Sequence, residues 1–145
     1  MSDLITKQMI LMDLEADNKN DAIEKLARII ESQDRLIDFN GFIEQVNARE
    51  ENFPTSIGFN FAIPHGKCSS VKTAALAFAR LKNEVQWSED EKSKYIFLIA
   101  VSDTSAGDEH LKILAKLSRK IMSEEFREKL QNAKSIDEIL ENLDI

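Results

Sequence analysis

Tyr95 to Val101 reads Tyr-Ile-Phe-Leu-Ile-Ala-Val, an apolar run with no polar member. Successive strand residues point to opposite faces, so a strand with one wet face alternates apolar and polar side chains. A short continuous run rich in branched and aromatic residues instead predicts a strand buried on both faces. Such a strand needs helices packed above and below it. That requirement sets the class of fold before any other residue is considered.

The rest of the chain supplies those partners. Ile10 to Leu14 reads as a short first strand and Thr73 to Leu81 as another apolar one. Phe59 to Ile63 reads as extended. Lys82 to Lys94 reads as a charged connection, with Trp87 covering the sheet edge. Asn18 is placed to cap a helix running to about Gln33, in which Ile23, Leu26, Ala27 and Ile30 form an apolar stripe. A second helix is predicted from Phe39 to Glu50, with Phe39, Phe42, Ile43 and Val46 inward. Leu111, Leu114, Leu117 and Ile121 mark a helix starting near Asp108. Ser123 opens a further one, and Ser135 with Glu138 forms the capping box of the last. Strands interleaved with amphipathic helices predict an α/β fold, a sheet with helices on both faces.

A chain of 145 residues fits one domain with a substantial core. The net charge of -7, from 19 basic and 26 acidic residues, argues against nucleic acid as a main partner, because phosphate backbones reward basic surfaces. No apolar stretch approaches the roughly 20 residues that span a bilayer. Met1-Ser2-Asp3-Leu4 lacks the basic start and apolar core of a signal peptide. A cytoplasmic location is the simplest expectation. Cys68 is the only cysteine, which excludes an internal disulfide and a cysteine metal cluster.

Ile63-Pro64-His65-Gly66 is the stretch most charged with chemistry. Pro64 fixes its own φ and biases Ile63 toward extended geometry. Gly66 permits a backbone angle or a close approach that a side chain would block. An imidazole held in such a turn can attack phosphorus; it can equally be a turn histidine that bonds a nearby carbonyl. His110 is the second histidine, just inside a predicted helix start that follows the buried strand. Anions favour helix N-termini and the crevice beyond the carboxyl ends of strands, so a phosphoryl group could sit between the two histidines; taken singly, His110 reads equally as a first-turn histidine facing water. Arg49 falls on the stripe of Phe42 and Val46 and should point toward the core side, where a guanidinium needs an anion. Helix-end carbonyls or Glu50 or Glu51 could also satisfy it. Cys68, three residues beyond His65, reads as packed, a Cys/His nucleophile pair being the alternative that needs contact in space; Met9 and Met12 read as core, and Asp103, Asp108 and Glu109 as capping carboxylates. No histidine spacing typical of a metal site occurs.

Taken together, Arg49-Glu50 at a helix end, Thr55 and Gly58 before the turn, Ala62-Ile63-Pro64-His65-Gly66, and Gly107-Asp108-Glu109-His110-Leu111 resemble the fructose–mannitol family of EIIA domains of the bacterial sugar phosphotransferase system. Their order and separation fit that family over essentially the whole chain. Ser56 and Asn60 stand where the family often has glycine. The resemblance implies a mixed sheet flanked by helices and a single domain over residues 1–145, free-standing and not fused to a transporter. It implies that His65 accepts a phosphoryl group from phosphohistidine on the carrier HPr. The group then passes to a cysteine of an EIIB component that feeds a membrane EIIC transporter. It also implies that His110 hydrogen-bonds the phosphoryl group, that Arg49 stabilises its charge, and that no cofactor or metal takes part. HPr and EIIB must both reach His65, so its surround should be exposed and partly apolar. Phe59 and Phe61 are candidates for that rim, and strand alternation should bury at least one of them. Two other functions remain compatible with the same residues: a regulatory paralogue of the nitrogen-related branch, and a metal-dependent hydrolase using His65 and His110. An α/β binding module without covalent chemistry is the plainest alternative.

Overall fold

The computed structural model describes residues 4–104 and 109–144, without the side chains of Glu109 and His110. The apolar run lies in β6, Lys92–Ser102, the strand on which the sheet is built. Residues 95 to 101 are all buried, as a strand covered on both faces requires. Its antiparallel neighbour is β5, Ala75–Gln86, and β1, Ile10–Leu14, lies parallel to β5 on the far side. The other edge of β6 carries two short parallel strands in succession. β3, Phe61–Ala62, pairs with Tyr95 and Ile96, and β4, His65–Cys68, pairs with Ile99 through Ser102. β2, Ser56–Gly58, lies antiparallel to β3. The sheet is therefore mixed, with Ile63-Pro64 dividing what would otherwise be one edge strand. Proline lacks the N–H a continuous ladder would use, yet its carbonyl still accepts from Ile99 N–H at 3.0 Å.

The charged stretch Lys82 to Lys94 is not a loose connection. β5 and β6 extend through it as a hairpin whose turn spans Trp87 to Glu91. Lys82, Glu84 and Gln86 are exposed while Val85 and Trp87 are buried, so the arm has one wet face; Asn83 is also exposed, within the stretch where the register shifts between Arg80 and Val85. The predicted extended segment Phe59 to Ile63 is also corrected. Phe59 and Asn60 have φ of 59° and 68° and form the two-residue turn joining β2 to β3. Positive φ at both central positions is what a type I′ hairpin requires. Asn60 suits it; nothing in a phenylalanine side chain does, and αL costs a residue with a Cβ about 1–2 kcal/mol.

The helices follow their caps. α1, Lys19–Ser32, starts at Asn18, whose side chain accepts from Asp21 N–H at 2.8 Å. Ile23, Leu26, Ala27 and Ile30 are buried as the stripe predicts. α2, Phe39–Asn52, buries Phe42 and Val46 fully and Phe39 and Ile43 partly. α3 covers Glu109–Ile121, α4 covers Glu124–Asn132 behind its Ser123 cap, and α5 covers Ile136–Leu143 behind Ser135.

Strand parity places these helices on opposite faces. Gly66 pairs with Ala100, and a Cβ on Gly66 would lie 3.0 Å from both Phe42 and Val46, so α2 packs directly on β4 backbone. This close approach, and not a special backbone angle, is what demands glycine there. Arg80 pairs with Tyr95, of opposite parity to Ala100, and its guanidinium donates to the carbonyls of Leu130 and Ala133 at 3.0 and 2.8 Å. It thereby satisfies the C-terminal carbonyls of α4 on the other face. Phe61 stacks on Tyr95 and Phe78 meets Phe97 at a tilt of 42°, both register partners, with ring centroids 4.8 and 4.7 Å apart. Each such pair contributes about 0.5–1.5 kcal/mol beyond its burial. Among the described residues no helix is long and apolar enough to cross a membrane.

Candidate functional site

His65 is the first residue of β4, immediately after the break in the edge strand. Its partner Ile99 has the parity of Tyr95 and Phe97, so the ring leaves the sheet on the face opposite α2. The ring is half-buried, and Nδ1 lies 3.0 Å from the carbonyl oxygen of Ile63. A carbonyl only accepts, so Nδ1 carries the proton and donates. In the neutral ring the in-plane lone pair then belongs to Nε2. The carbonyl-bonded turn histidine expected from the sequence is thus the arrangement observed, and that bond leaves the in-plane lone pair on Nε2.

His65 lines an open cleft of about 310 Å³ together with Arg49, Ile57, Leu114 and Ser118, among others. Five segments meet there: the end of α2, the turn after it, β2, the start of β4 and the middle of α3. Arg49 is half-buried and reaches the cleft from the last turn of α2. The core-side orientation expected from its stripe is only partly realised. Its guanidinium donates to the carbonyl of Phe53 at 2.6 Å, not to Glu50 or Glu51. A single carbonyl uses one of five N–H donors, and the cleft it shares with His65 would suit an anion.

The buried ion at this helix end is Glu50, not Arg49. Glu50 is 6 % exposed, and its carboxylate pairs with Lys19 Nζ at 2.8 Å. It accepts from Thr55 N–H at 3.2 Å and from the Thr55 hydroxyl. Thr55 is itself buried, and its carbonyl accepts from Ile63 N–H at 3.1 Å. Sequence reasoning missed this role, since Lys19 lies far upstream and a glutamate at a helix end reads as solvated. The one local signal was the Glu50-to-Thr55 spacing, in which a carboxylate precedes a hydroxyl across a Phe-Pro turn.

The side chain of His110 lies outside the described residues, as do Gly107, Asp108 and the side chain of Glu109; His110 itself belongs to the first turn of α3. The next residue, Leu111, is 53 % exposed. Asp103 is exposed. Cys68 is half-buried and sits three positions after His65 on one strand, which places the two side chains on opposite faces. That rules out a Cys/His nucleophile pair. Among the described residues no group of histidine, cysteine and carboxylate side chains is assembled to hold a metal ion.

The rim of the cleft is apolar and exposed. Phe53 is 71 % exposed and Ile57, next to it in the wall, is partly so. Of the two phenylalanines expected near the rim, Phe61 is fully buried and Phe59 is half exposed at the hairpin tip, with the Arg127 guanidinium 3.8 Å from its ring centroid.

Comparison with known proteins agrees with this geometry. Residues 3–144 match the family model described as phosphoenolpyruvate-dependent sugar phosphotransferase system, EIIA 2. The chain is 32 % identical over 143 residues to the fructose-specific EIIABC component of Bacillus subtilis, covering 97 % of this chain and 22 % of that one. It is 32 % identical over 137 residues to the fructose-specific EIIA component of Haloferax volcanii, covering 93 % and 88 %. A solved structure, the nitrogen regulatory protein IIA-Ntr of Neisseria meningitidis, superimposes with a TM-score of 0.88 at 30 % identity, covering 97 % of this chain and 96 % of that one. Several other curated relatives are much longer, and the chain spans as little as 11 % of their length. With the family model matching nearly every residue and the mixed sheet, helical layers and histidine cleft in place, this chain belongs to the EIIA 2 family of the sugar phosphotransferase system.

Proposed function

We propose that the protein is a phosphocarrier that takes a phosphoryl group onto His65 from phosphohistidine on HPr and hands it to a cysteine of an EIIB component. The observation that carries this reading is the bond from His65 Nδ1 to the Ile63 carbonyl at the lip of a cleft shared with Arg49. It leaves Nε2 as the attacking atom. In the first step Nε2 bonds to phosphorus as the donor P–N bond breaks, and that electron pair returns to the donor nitrogen. In the second a thiolate of EIIB bonds to phosphorus and the Nε2–P pair returns to His65. Nothing is oxidised or reduced.

Phosphoryl transfer asks the protein mainly for positioning and charge stabilisation. A phosphorylated side chain carries close to two negative charges. A guanidinium such as that of Arg49, if it closes to about 4 Å of the group, contributes roughly 4 kcal/mol of Coulomb energy at an effective dielectric near 20, before desolvation is subtracted. On a chain of net charge -7 a nearby cation offsets the repulsion such a group meets. His110, from the first turn of α3, hydrogen-bonds the same group. No metal or cofactor enters the reaction. The apolar rim of Phe53 and Ile57 lets two protein partners dock in turn, with EIIB linking the protein to a membrane EIIC. The reaction belongs in the cytoplasm, where HPr and EIIB meet it.

Incubation with HPr, its activating kinase and phosphoenolpyruvate, followed by intact-mass measurement, tests the proposal. A gain of one phosphate that is absent in His65→Ala is expected; undiminished gain in that variant would refute it. The likeness to the nitrogen regulatory protein supports a second reading, in which the same phosphohistidine signals and does not feed transport. Transfer from the phosphorylated chain to a cognate EIIB favours the first reading, and a phosphorylated chain that no EIIB discharges favours the second.

A further inference from the structure

Glu50 occupies an expensive place. A carboxylate removed from water costs several kcal/mol unless fully compensated. The last turn of a helix adds the negative end of the macrodipole. Leu or Gln at this position would avoid both penalties. Instead the carboxylate is 6 % exposed and has three partners, all donors: Lys19 Nζ, Thr55 N–H and the Thr55 hydroxyl. Two of the three come from Thr55, so most of what this anion does is hold one residue in place.

Thr55 in turn holds the segment that carries His65. Its carbonyl accepts from Ile63 N–H at 3.1 Å, across the gap where β3 has ended and β4 has not begun. Ile63 therefore has no ladder partner at its N–H other than Thr55. The carbonyl of the same Ile63 receives His65 Nδ1–H at 3.0 Å. We propose that Glu50 and Thr55 are positioning residues for His65: through Thr55 the buried carboxylate fixes the Ile63 backbone at its N–H, the restricted dihedrals of a residue before proline carry that orientation to the Ile63 carbonyl, and the carbonyl selects which ring nitrogen carries the proton. The inference takes the importance of Nε2 from the phosphocarrier reading, but the selection of the tautomer stands without it. Lys19 neutralises the anion from α1, so the first two helices both anchor the ring.

The tautomer can be read directly on the unphosphorylated full chain. Two-bond proton–nitrogen correlation spectra of the labelled protein, taken where the rings are neutral, distinguish Nδ1–H from Nε2–H, and His110→Gln assigns the two histidines. The wild type should show His65 as Nδ1–H. In Thr55→Val, which keeps the shape and removes the hydroxyl, the ratio of Nδ1–H to Nε2–H should fall about tenfold, the scale of one lost hydrogen bond. Glu50→Gln should lower it in the same direction, and Thr55→Ser should restore it. A His65 ring that stays Nδ1–H in a folded Thr55→Val variant would overturn the proposal. A second measurement needs no variant: a trans-hydrogen-bond coupling between Ile63 N–H and the Thr55 carbonyl is expected in the wild type, and its absence would also overturn it. A wild-type chain that HPr fails to phosphorylate sinks the phosphocarrier reading alone and leaves the tautomer result standing.

Discussion

At the scale of single residues, one cation and one phenol carry opposite kinds of consequence. Arg49 is half-buried and spends one bond on the Phe53 carbonyl. Its removal should leave folding nearly untouched, within about 1 kcal/mol, the net contribution of one such bond. Phosphoryl transfer should fall about 100-fold, the usual loss when one preorganised charge stabiliser is deleted. Urea unfolding and rapid-quench transfer from phosphorylated HPr, run on Arg49→Ala, check the two halves separately. A matching loss of stability would make Arg49 a packing residue. Tyr95, by contrast, acts on stability. Burial raises its pKa above 10.0, and the nearby Arg80 opposes that only in part. The unfolded chain then ionises first as pH rises, so the stabilisation is fully present below about pH 10 and is lost as pH climbs toward the folded-state value. Denaturant midpoints measured upward from about pH 9 should fall in the wild type and fall less in Tyr95→Phe.

Among elements, the helices were legible almost to the residue, and the reason is chemical. Asn18 and Ser135 both accept from the N–H three residues on, and Asp21 and Glu138 reach back to the N–H of Asp17 and Lys134. A cap is a local signal, so sequence displays it whole. Ser135→Ala should cost about 1 kcal/mol, seen as a lower melting temperature with an unchanged phosphorylation rate, since α5 packs beside β1 and away from the cleft. The β5–β6 arm was not legible, because Lys82, Asn83 and Glu84, three exposed residues in a row where the register shifts, read as a loop. Nor was the turn at Phe59, whose left-handed backbone is imposed by the hairpin against the preference of its own side chain. The site divides in the same way. Pro64, His65 and Gly66 form a contiguous motif and were visible. Glu50 matters through Lys19 and Thr55, contacts made only once α1 and α2 have packed.

For the molecule as a whole, β6 is the organising strand. β5 bonds one edge of it, and β3 and β4 share the other. Its central residues are buried on both faces. Amides of Tyr95 to Val101 should exchange with solvent only when the entire domain opens, so their protection should equal the global unfolding free energy. Hydrogen exchange with mass or NMR detection checks this, and faster exchange there than in α1 would contradict it. The backbone of His65 is laced to that same strand, opposite Ile99. Catalytic competence therefore has no early point of failure of its own. A warmed sample should hold fully working molecules and fully collapsed ones, with scarcely any intact-looking but inert species between, and residual activity becomes a faithful thermometer of how many chains are still folded.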